Sequence, residues 1–167
     1  MKIIKELIPY VIIVLVVVLI RSFIITPVVV EGKSMEPNFY ENEVLLLSKI
    51  SYRLSDINRF DVVVVKSDDL IIKRVIGLPG DYIEYKNDKL YINGVYVKED
   101  YDRRETYDFS LNDICNCSII PQDKYLVLGD NRVVSKDSRS IGLIDKSNIV
   151  GKTVLRIWPL TKISLVN

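Results

Sequence analysis

The chain has 167 residues, enough for one compact domain with a small appendage and too few for two full domains. It carries 23 basic and 22 acidic residues, so its net charge of +1 excludes the strong positive field of a nucleic-acid-binding protein, and nucleic acid is not an expected partner. It contains no histidine, which excludes the usual serine–histidine pair of a serine hydrolase.

The N-terminal segment contains an apolar run without charges, residues 7–20, with Lys2 and Lys5 before it and Arg21 after it. Three interpretations compete: a cleaved signal peptide, a buried core helix and a retained membrane anchor. We favour the anchor, because no small-residue cleavage site follows the run and no polar face interrupts it. The lysines at its start predict a cytoplasmic N-terminus, with the rest of the chain outside the cytoplasm.

Beyond residue 25 the pattern changes to short runs of β-branched residues, which predict strands. These runs cover residues 27–30, 44–47, 61–66, 70–76, 124–130 and 149–158. An Asn93-Gly94 pair between two alternating runs predicts a hairpin, and residues 98–118 are charged and irregular. The order predicts a mainly β protein, with a cytoplasmic tip and anchor at 1–25, a β domain at 26–167 and a small inserted subregion at about 86–122.

Two residues could carry hydrolytic chemistry without histidine. Ser34 lies on a turn after a strand-like run, and the nearby Gly32 would let backbone N–H groups approach an oxyanion. In the strand at 70–76, alternation places Lys73 on the same face as branched hydrophobic residues. If that face points into the domain, desolvation lowers the lysine pKa and makes it a base. If the strand is an edge, Lys73 points to solvent and discourages aggregation.

Cys115 and Cys117 are separated by one residue. A bridge between them would be strained, so we expect two loop thiols or an incidental redox pair, without an assigned function. The chain has no second cysteine or histidine pair to complete a zinc site. No metal and no cofactor are therefore expected.

Five segments in order, together with the N-terminal run, carry a resemblance to a known family: GKSMEP, EVLLLSK, KRVIGLPGD, GDNRVVSKDSR and RIWPL. The chain resembles bacterial type I signal peptidases, peptidase family S26, of the compact Gram-positive type. The resemblance covers nearly the whole chain. It implies a signal-peptidase-like β domain with an N-terminal transmembrane helix, located at the cell membrane as a single-pass protein with an extracytoplasmic catalytic domain.

The resemblance implies a serine endopeptidase with Ser34 as nucleophile and Lys73 as general base. The Ser135 hydroxyl would orient the lysine amine, and Asp137 and Arg139 would brace the same loop. An extended signal peptide would lie between two strand edges. Pockets for the small residues one and three positions before the cut would be formed by Val28, Val30, Gly32, Met35, Phe39, Ile71 and Ile72. The implied partners are signal peptides of secreted preproteins and membrane lipid, with pilins or other dedicated substrates as an alternative.

The chain departs from the family pattern at three places. Asn38 stands where the family usually has threonine, and residues 41–44 replace a more usual Gly-Asp pair. Gly32 replaces a serine whose hydroxyl completes the oxyanion hole in some members, which leaves backbone N–H groups for that task.

Three other classes compete with the peptidase: a non-catalytic anchored assembly factor, a cytoplasmic self-cleaving repressor and a structural β domain on an anchor. The assembly factors typically lack the serine or the lysine, and the repressors carry a DNA-binding domain instead of an anchor. Because Ser34 and Lys73 are both present behind an apolar run, the peptidase is favoured.

Overall fold

The computed structural model describes residues 2–166. It begins with helix α1 (Lys2–Phe23), 22 residues long, whose side chains at positions 7–18 are exposed. The side chains of Lys2 and Lys5, on which the predicted orientation depends, lie outside the description. A search of the described residues finds no helix with the length and apolar character that a membrane crossing requires.

Twelve strands follow α1 in the described part of the chain, and they include every strand that the sequence predicts. They are β1 (Ile25–Val29), β2 (Val44–Ser48), β3 (Val62–Lys66), β4 (Leu70–Gly77), β5 (Ile83–Lys86), β6 (Lys89–Ile92), β7 (Val95–Val97), β8 (Phe109–Ser110), β9 (Lys124–Leu128), β10 (Ile144–Asp145), β11 (Ile149–Trp158) and β12 (Ser164–Leu165). Two short helices, α2 (Ser51–Leu54) and α3 (Ser138–Ile141), lie in the connections. Asn93 and Gly94 form the predicted two-residue hairpin turn with φ of 52° and 80°.

The strands form two antiparallel sheets, so the mainly β fold is confirmed. The large sheet has the order β1-β2-β11-β3-β4-β9-β10, with β12 added on β11, and the small sheet has the order β7-β6-β5-β8. Strand β3 pairs with β4 over residues 70–74, whereas β9 pairs with β4 only over residues 74–77. Strand β1 and the first half of β4 therefore each present an edge without a second partner among the described strands.

Apolar side chains cover both faces of the large sheet. As a result, β3 is buried along most of its length. What we call the front cluster contains Val30, Met35, Phe39, Leu45, Leu47, Val62, Val64, Ile72 and Val166. The rear cluster contains Ile57, Val63, Val65, Val75, Tyr125, Val127, Ile144 and Ile149. Alternate residues of β3 belong to the two clusters, as the two-residue period of a strand requires. A third cluster joins β4 and β9 to the small sheet.

The two cysteines correct one expectation. Cys115 and Cys117 form a disulfide with their Cα atoms 5.2 Å apart, so the first alternative, two loop thiols, is wrong, and the second, an incidental redox pair, stays a prediction. The local chain reaches this separation despite the single intervening residue, and it lies within the usual range for disulfides. Both cysteines pack against the cluster that joins the two sheets. The proposed division of the chain at residues 25, 86 and 122 stays a prediction.

Candidate active site

Ser34 and Lys73 lie within hydrogen-bonding distance of each other. Ser34 is half-buried on the turn after β1, and its Oγ is 2.8 Å from the Nζ of Lys73 in β4. The same Nζ lies 2.9 Å from the carbonyl oxygen of Ile72. Lys73 is only 2% exposed, so the alternative of a solvent-facing edge lysine is wrong. The sheet brings together two groups that are 39 residues apart in the chain.

The surroundings of Lys73 favour its neutral amine. Burial lowers the pKa of Lys73 from 10.5 to about 8, because the charged form loses its hydration. Asp137 and Asp130 act in the opposite direction by stabilising the ammonium, but desolvation is the larger effect. At pH 7 about a tenth of the lysine is then neutral, and the fraction rises as the pH increases.

The turn that carries Ser34 is fixed by backbone hydrogen bonds. The Phe39 N–H donates to the Met35 carbonyl at 3.0 Å, and the Asn131 N–H donates to the carbonyl of Ser34 itself at 3.0 Å. Gly32 precedes the turn with a φ of 72°, and a Cβ at this position would meet no atom within 4 Å. The positive φ favours glycine, while the open space leaves room for an approaching substrate.

Asp137 and Arg139 form an ion pair beside this turn. The buried Asp137 carboxylate accepts from Arg139 Nε and Nη2, both at 2.9 Å, and from the Gly129 N–H at 3.0 Å. Arg139 also donates to the carbonyl oxygen of Arg132 at 2.6 Å. The pair therefore connects the end of β9 to the start of α3. It lies in the loop for which the family resemblance implies a bracing role of Asp137 and Arg139.

Ser135 is close to the nucleophile turn, but its hydroxyl forms no hydrogen bond with the lysine in the described structure. Its Oγ is buried and has no hydrogen-bond partner among the described residues. A Cβ at Gly129 would overlap both Ser135 Oγ and the Ser34 carbonyl oxygen, so Ser135 and the Ser34 turn pack against the same glycine. A hydrogen bond from Ser135 to Lys73 is not present in the described part of the chain, and the orienting role of Ser135 stays a prediction.

Most of the predicted pocket residues lie together in the front cluster. Those in it or packed against it are Val28, Val30, Met35, Phe39 and Ile72. Ile71 instead packs against the rear cluster. The described part of the chain contains no group of three or more side chains suited to bind a metal ion.

A second ion pair adjoins the site and was missed in the sequence. Arg74, next to Lys73, is 1% exposed, and its Nε and Nη2 donate to the two carboxylate oxygens of Asp130 at 2.9 and 2.8 Å. Asn38 Nδ2 donates to the same carboxylate at 2.7 Å. The available signal was an arginine inside an apolar strand, because a buried charge requires a partner of opposite sign.

Comparison with known proteins shows the family to which the chain belongs. Residues 3–158 match the family described as signal peptidase, peptidase S26. The chain belongs to this family. Signal peptidase IB of Staphylococcus aureus is 42% identical over 160 residues, covering 86% of this chain and 83% of the relative. Signal peptidase I of Bacillus caldolyticus is 44% identical over 163 residues, covering 90% and 89%.

A solved structure carries the same fold. A signal peptidase I from Enterococcus faecalis V583 superposes with a TM-score of 0.54 at 35% identity, covering 59% of this chain and 97% of that chain. The predicted resemblance to type I signal peptidases is thus confirmed. Membership makes the chain a serine endopeptidase, and removal of signal peptides is the reaction of its family.

Proposed function

We propose that this signal peptidase removes signal peptides from exported preproteins with Ser34 as nucleophile and Lys73 as general base. The observation that carries the proposal is the 2.8 Å separation between Ser34 Oγ and the buried Lys73 Nζ, in a chain without histidine. The lysine is the base because its burial lowers its pKa to about 8, close to working pH.

The first half of the reaction is acylation of Ser34. When Nζ is neutral, one of its N–H groups donates to the Ile72 carbonyl, and its lone pair accepts the hydrogen of the Ser34 hydroxyl. Oγ attacks the scissile carbonyl as its proton moves to Nζ, and the lysine ammonium then protonates the leaving amine. The Ser34 N–H is the proposed donor to the oxyanion, since Gly32 supplies no side-chain hydroxyl.

The second half is hydrolysis of the acyl-enzyme. Lys73 is neutral again after the amine has left, and it takes a proton from water as the water oxygen bonds to the acyl carbon. The bond between the acyl carbon and Ser34 Oγ then breaks, the lysine ammonium returns the proton to Oγ, and the carboxylic acid product is released. Ser135 carries a buried hydroxyl with unused hydrogen-bonding capacity near this site, which supports a role in orienting the amine. Asp137 and Arg139 support the loop on which Ser135 lies.

The substrate is proposed to bind as an added strand. Strand β1 lies at the edge of the large sheet, and residues 70–73 of β4 pair with β3 alone among the described strands. An extended peptide can bond to such edges through its backbone. The apolar side chains of the front cluster would then receive the residues one and three positions before the cut. Because Val30, Met35 and Ile72 are already buried, little space is left, and small side chains are favoured.

We also propose that α1 anchors the protein in the cell membrane, with the catalytic domain outside the cytoplasm. A helix of 22 residues is about 33 Å long, comparable to the roughly 30 Å hydrocarbon core of a bilayer. The uncharged run at residues 7–20 and the exposed apolar side chains at residues 7–18 support this placement. Anchoring would hold the site near signal peptides, which are themselves apolar.

The test is cleavage of a preprotein with an Ala-x-Ala signal site by the detergent-solubilised full chain. Ser34→Ala and Lys73→Ala are measured in parallel, and the cut is located by mass spectrometry of the products. We expect cleavage after the second alanine by the unaltered chain and none by either variant. Cleavage that survives either substitution would refute the assigned roles. If the folded chain leaves general preproteins intact and cuts pilin precursors, the substrate class would change to dedicated substrates.

A further inference from the structure

Asn38 makes more contacts than a surface turn residue requires. Its Nδ2 donates to Asp130 Oδ2 at 2.7 Å and to the backbone carbonyl of Asp102 at 2.6 Å. Its backbone N–H donates to the Met35 carbonyl at 3.1 Å, and its carbonyl accepts from Arg156 Nη1 at 3.0 Å. The side-chain amide, the backbone N–H and the carbonyl of Asn38 are therefore all hydrogen-bonded. Met35, which accepts from the backbone N–H, directly follows Ser34 in the chain.

Asp130, which accepts from the Asn38 amide, is connected to both Ser34 and Lys73. Asp130 is completely buried, and its carboxylate is bound by the guanidinium of Arg74, the residue after Lys73. The next residue, Asn131, donates its backbone N–H to the carbonyl of Ser34. Asn38 thus closes a ring of contacts in which Asp130 joins the strand of the base to the turn of the nucleophile.

The second partner of the amide connects this ring to the irregular segment that begins at residue 98. The carbonyl of Asp102 accepts from Asn38, and two residues later the Arg104 N–H donates to the Asp130 carbonyl at 3.0 Å. Glu99 fixes the same segment through an ion pair to the buried Arg132 at 2.6 Å. The segment is therefore attached to the loop after β9 at two points, Asp130 and Arg132, and Asn38 supplies its attachment to the nucleophile turn.

We propose that Asn38 is a positioning residue, which holds the Ser34 turn against Asp130 and the 99–104 segment and so fixes Ser34 Oγ relative to Lys73 Nζ. The proposal rests on the Ser34–Lys73 mechanism. The proposal gives a role to Asn38, where the chain departs from its family pattern. It also gives a role to the 99–104 segment, which does not take part in the Ser34–Lys73 mechanism. The Asn38 amide donates two hydrogen bonds from one nitrogen, so an isosteric side chain without a donor breaks both attachments.

The test replaces Asn38 by leucine, which has nearly the same shape and no hydrogen-bond donor. Displacing a nucleophile by a fraction of an ångström to one ångström lowers turnover by about 10- to 100-fold. We expect Asn38→Leu to lower kcat about 10-fold with a KM within about 2-fold of the unaltered chain, because the peptide-binding edges are untouched. Asn38→Asp should lower kcat further, since it places a carboxylate oxygen beside Asp130 and the Asp102 carbonyl.

The matched control is Thr153→Val in β11, which removes a buried hydrogen bond of 2.9 Å to the Val62 carbonyl without touching the Ser34 turn. All rates are divided by the folded fraction from circular dichroism. The control should lower the melting temperature with kcat unchanged, whereas Asn38→Leu should lower kcat of the folded protein.

Asn38→Ala, which is smaller, is measured in case leucine does not fit. Unfolding of both the leucine and alanine variants, or a kcat within about 2-fold of the unaltered chain, would overturn the proposal and make Asn38 a structural residue. Ser34→Ala and Lys73→Ala separate the two claims: residual cleavage in these variants refutes the dyad, whereas a result confined to Asn38 refutes only its positioning role.

Discussion

Replacing Lys73 by methionine should stabilise the protein at neutral pH while abolishing cleavage. Methionine is unbranched like lysine and one atom shorter, and it carries no charge, so the cost of burying an ammonium disappears. The pKa of Lys73 falls from 10.5 to about 8 on folding, and this difference corresponds to about 3 kcal/mol of unfolding free energy. The buried catalytic base therefore lowers the free energy of unfolding at neutral pH.

The sign follows from proton binding. Between pH 8 and pH 10.5 the unfolded lysine is protonated more often than the folded one, so the stability of the unaltered chain rises with pH across this window. Below pH 8 the full cost is present, and above pH 10.5 it is gone. The advantage of Lys73→Met should therefore shrink by about 3 kcal/mol between pH 6 and pH 10.5, whatever constant offset arises from lost hydrogen bonds and altered packing.

The assay is urea unfolding of the detergent-solubilised chain, followed by circular dichroism at pH 6, 7, 8, 9 and 10.5. Lys66→Met is the matched control, because Lys66 is an exposed lysine at the end of β3. We expect this substitution to change the free energy of unfolding only slightly. If the difference between Lys73→Met and the unaltered chain does not change with pH, burial does not depress the lysine pKa and the reasoning fails.

Two further substitutions test the site. Lys73→Arg should leave as little cleavage as Lys73→Ala, because a guanidinium stays protonated, and substantial activity in the arginine variant would exclude a lysine base. Gly129→Ala should abolish cleavage and destabilise the fold by about 1–3 kcal/mol, because its methyl group overlaps Ser135 Oγ and the Ser34 carbonyl. Thermal melting and product analysis check both expectations, and an unaltered rate in Gly129→Ala would show that the Ser34 turn can move without consequence.

The strands were predictable because burial imposes a regular pattern on the sequence. Runs of β-branched residues such as those of β3 and β4 correspond to strands buried on both faces. The Asn93-Gly94 pair predicted its turn because both residues readily adopt the positive φ that the turn requires. The alternation in β4 predicted that Lys73 shares a face with branched hydrophobic residues, and the residues two positions before and after it, Ile71 and Val75, do belong to or pack against the rear cluster.

The candidate site was predictable only through the family resemblance. Nothing local shows that Ser34 meets Lys73, since the contact depends on the pairing of β3 with β4 and on the path of the turn after β1. The interactions of Asn38 and Asp130 were missed for the same reason: they join residues 92 positions apart. The Cys115–Cys117 disulfide was missed because the conformation of an irregular loop, which decides whether two close cysteines can meet, leaves no periodic signal.

The central claim is that a buried, neutral Lys73 activates Ser34, and the most direct test is the pH dependence of kcat/KM for cleavage of an Ala-x-Ala preprotein. This quantity reports the ionisation of the free enzyme. We predict that kcat/KM increases tenfold per pH unit at low pH and levels off with a midpoint near the lysine pKa of about 8. A profile that is flat from pH 6 to pH 10, or that follows a group with a midpoint near pH 4, would contradict the account.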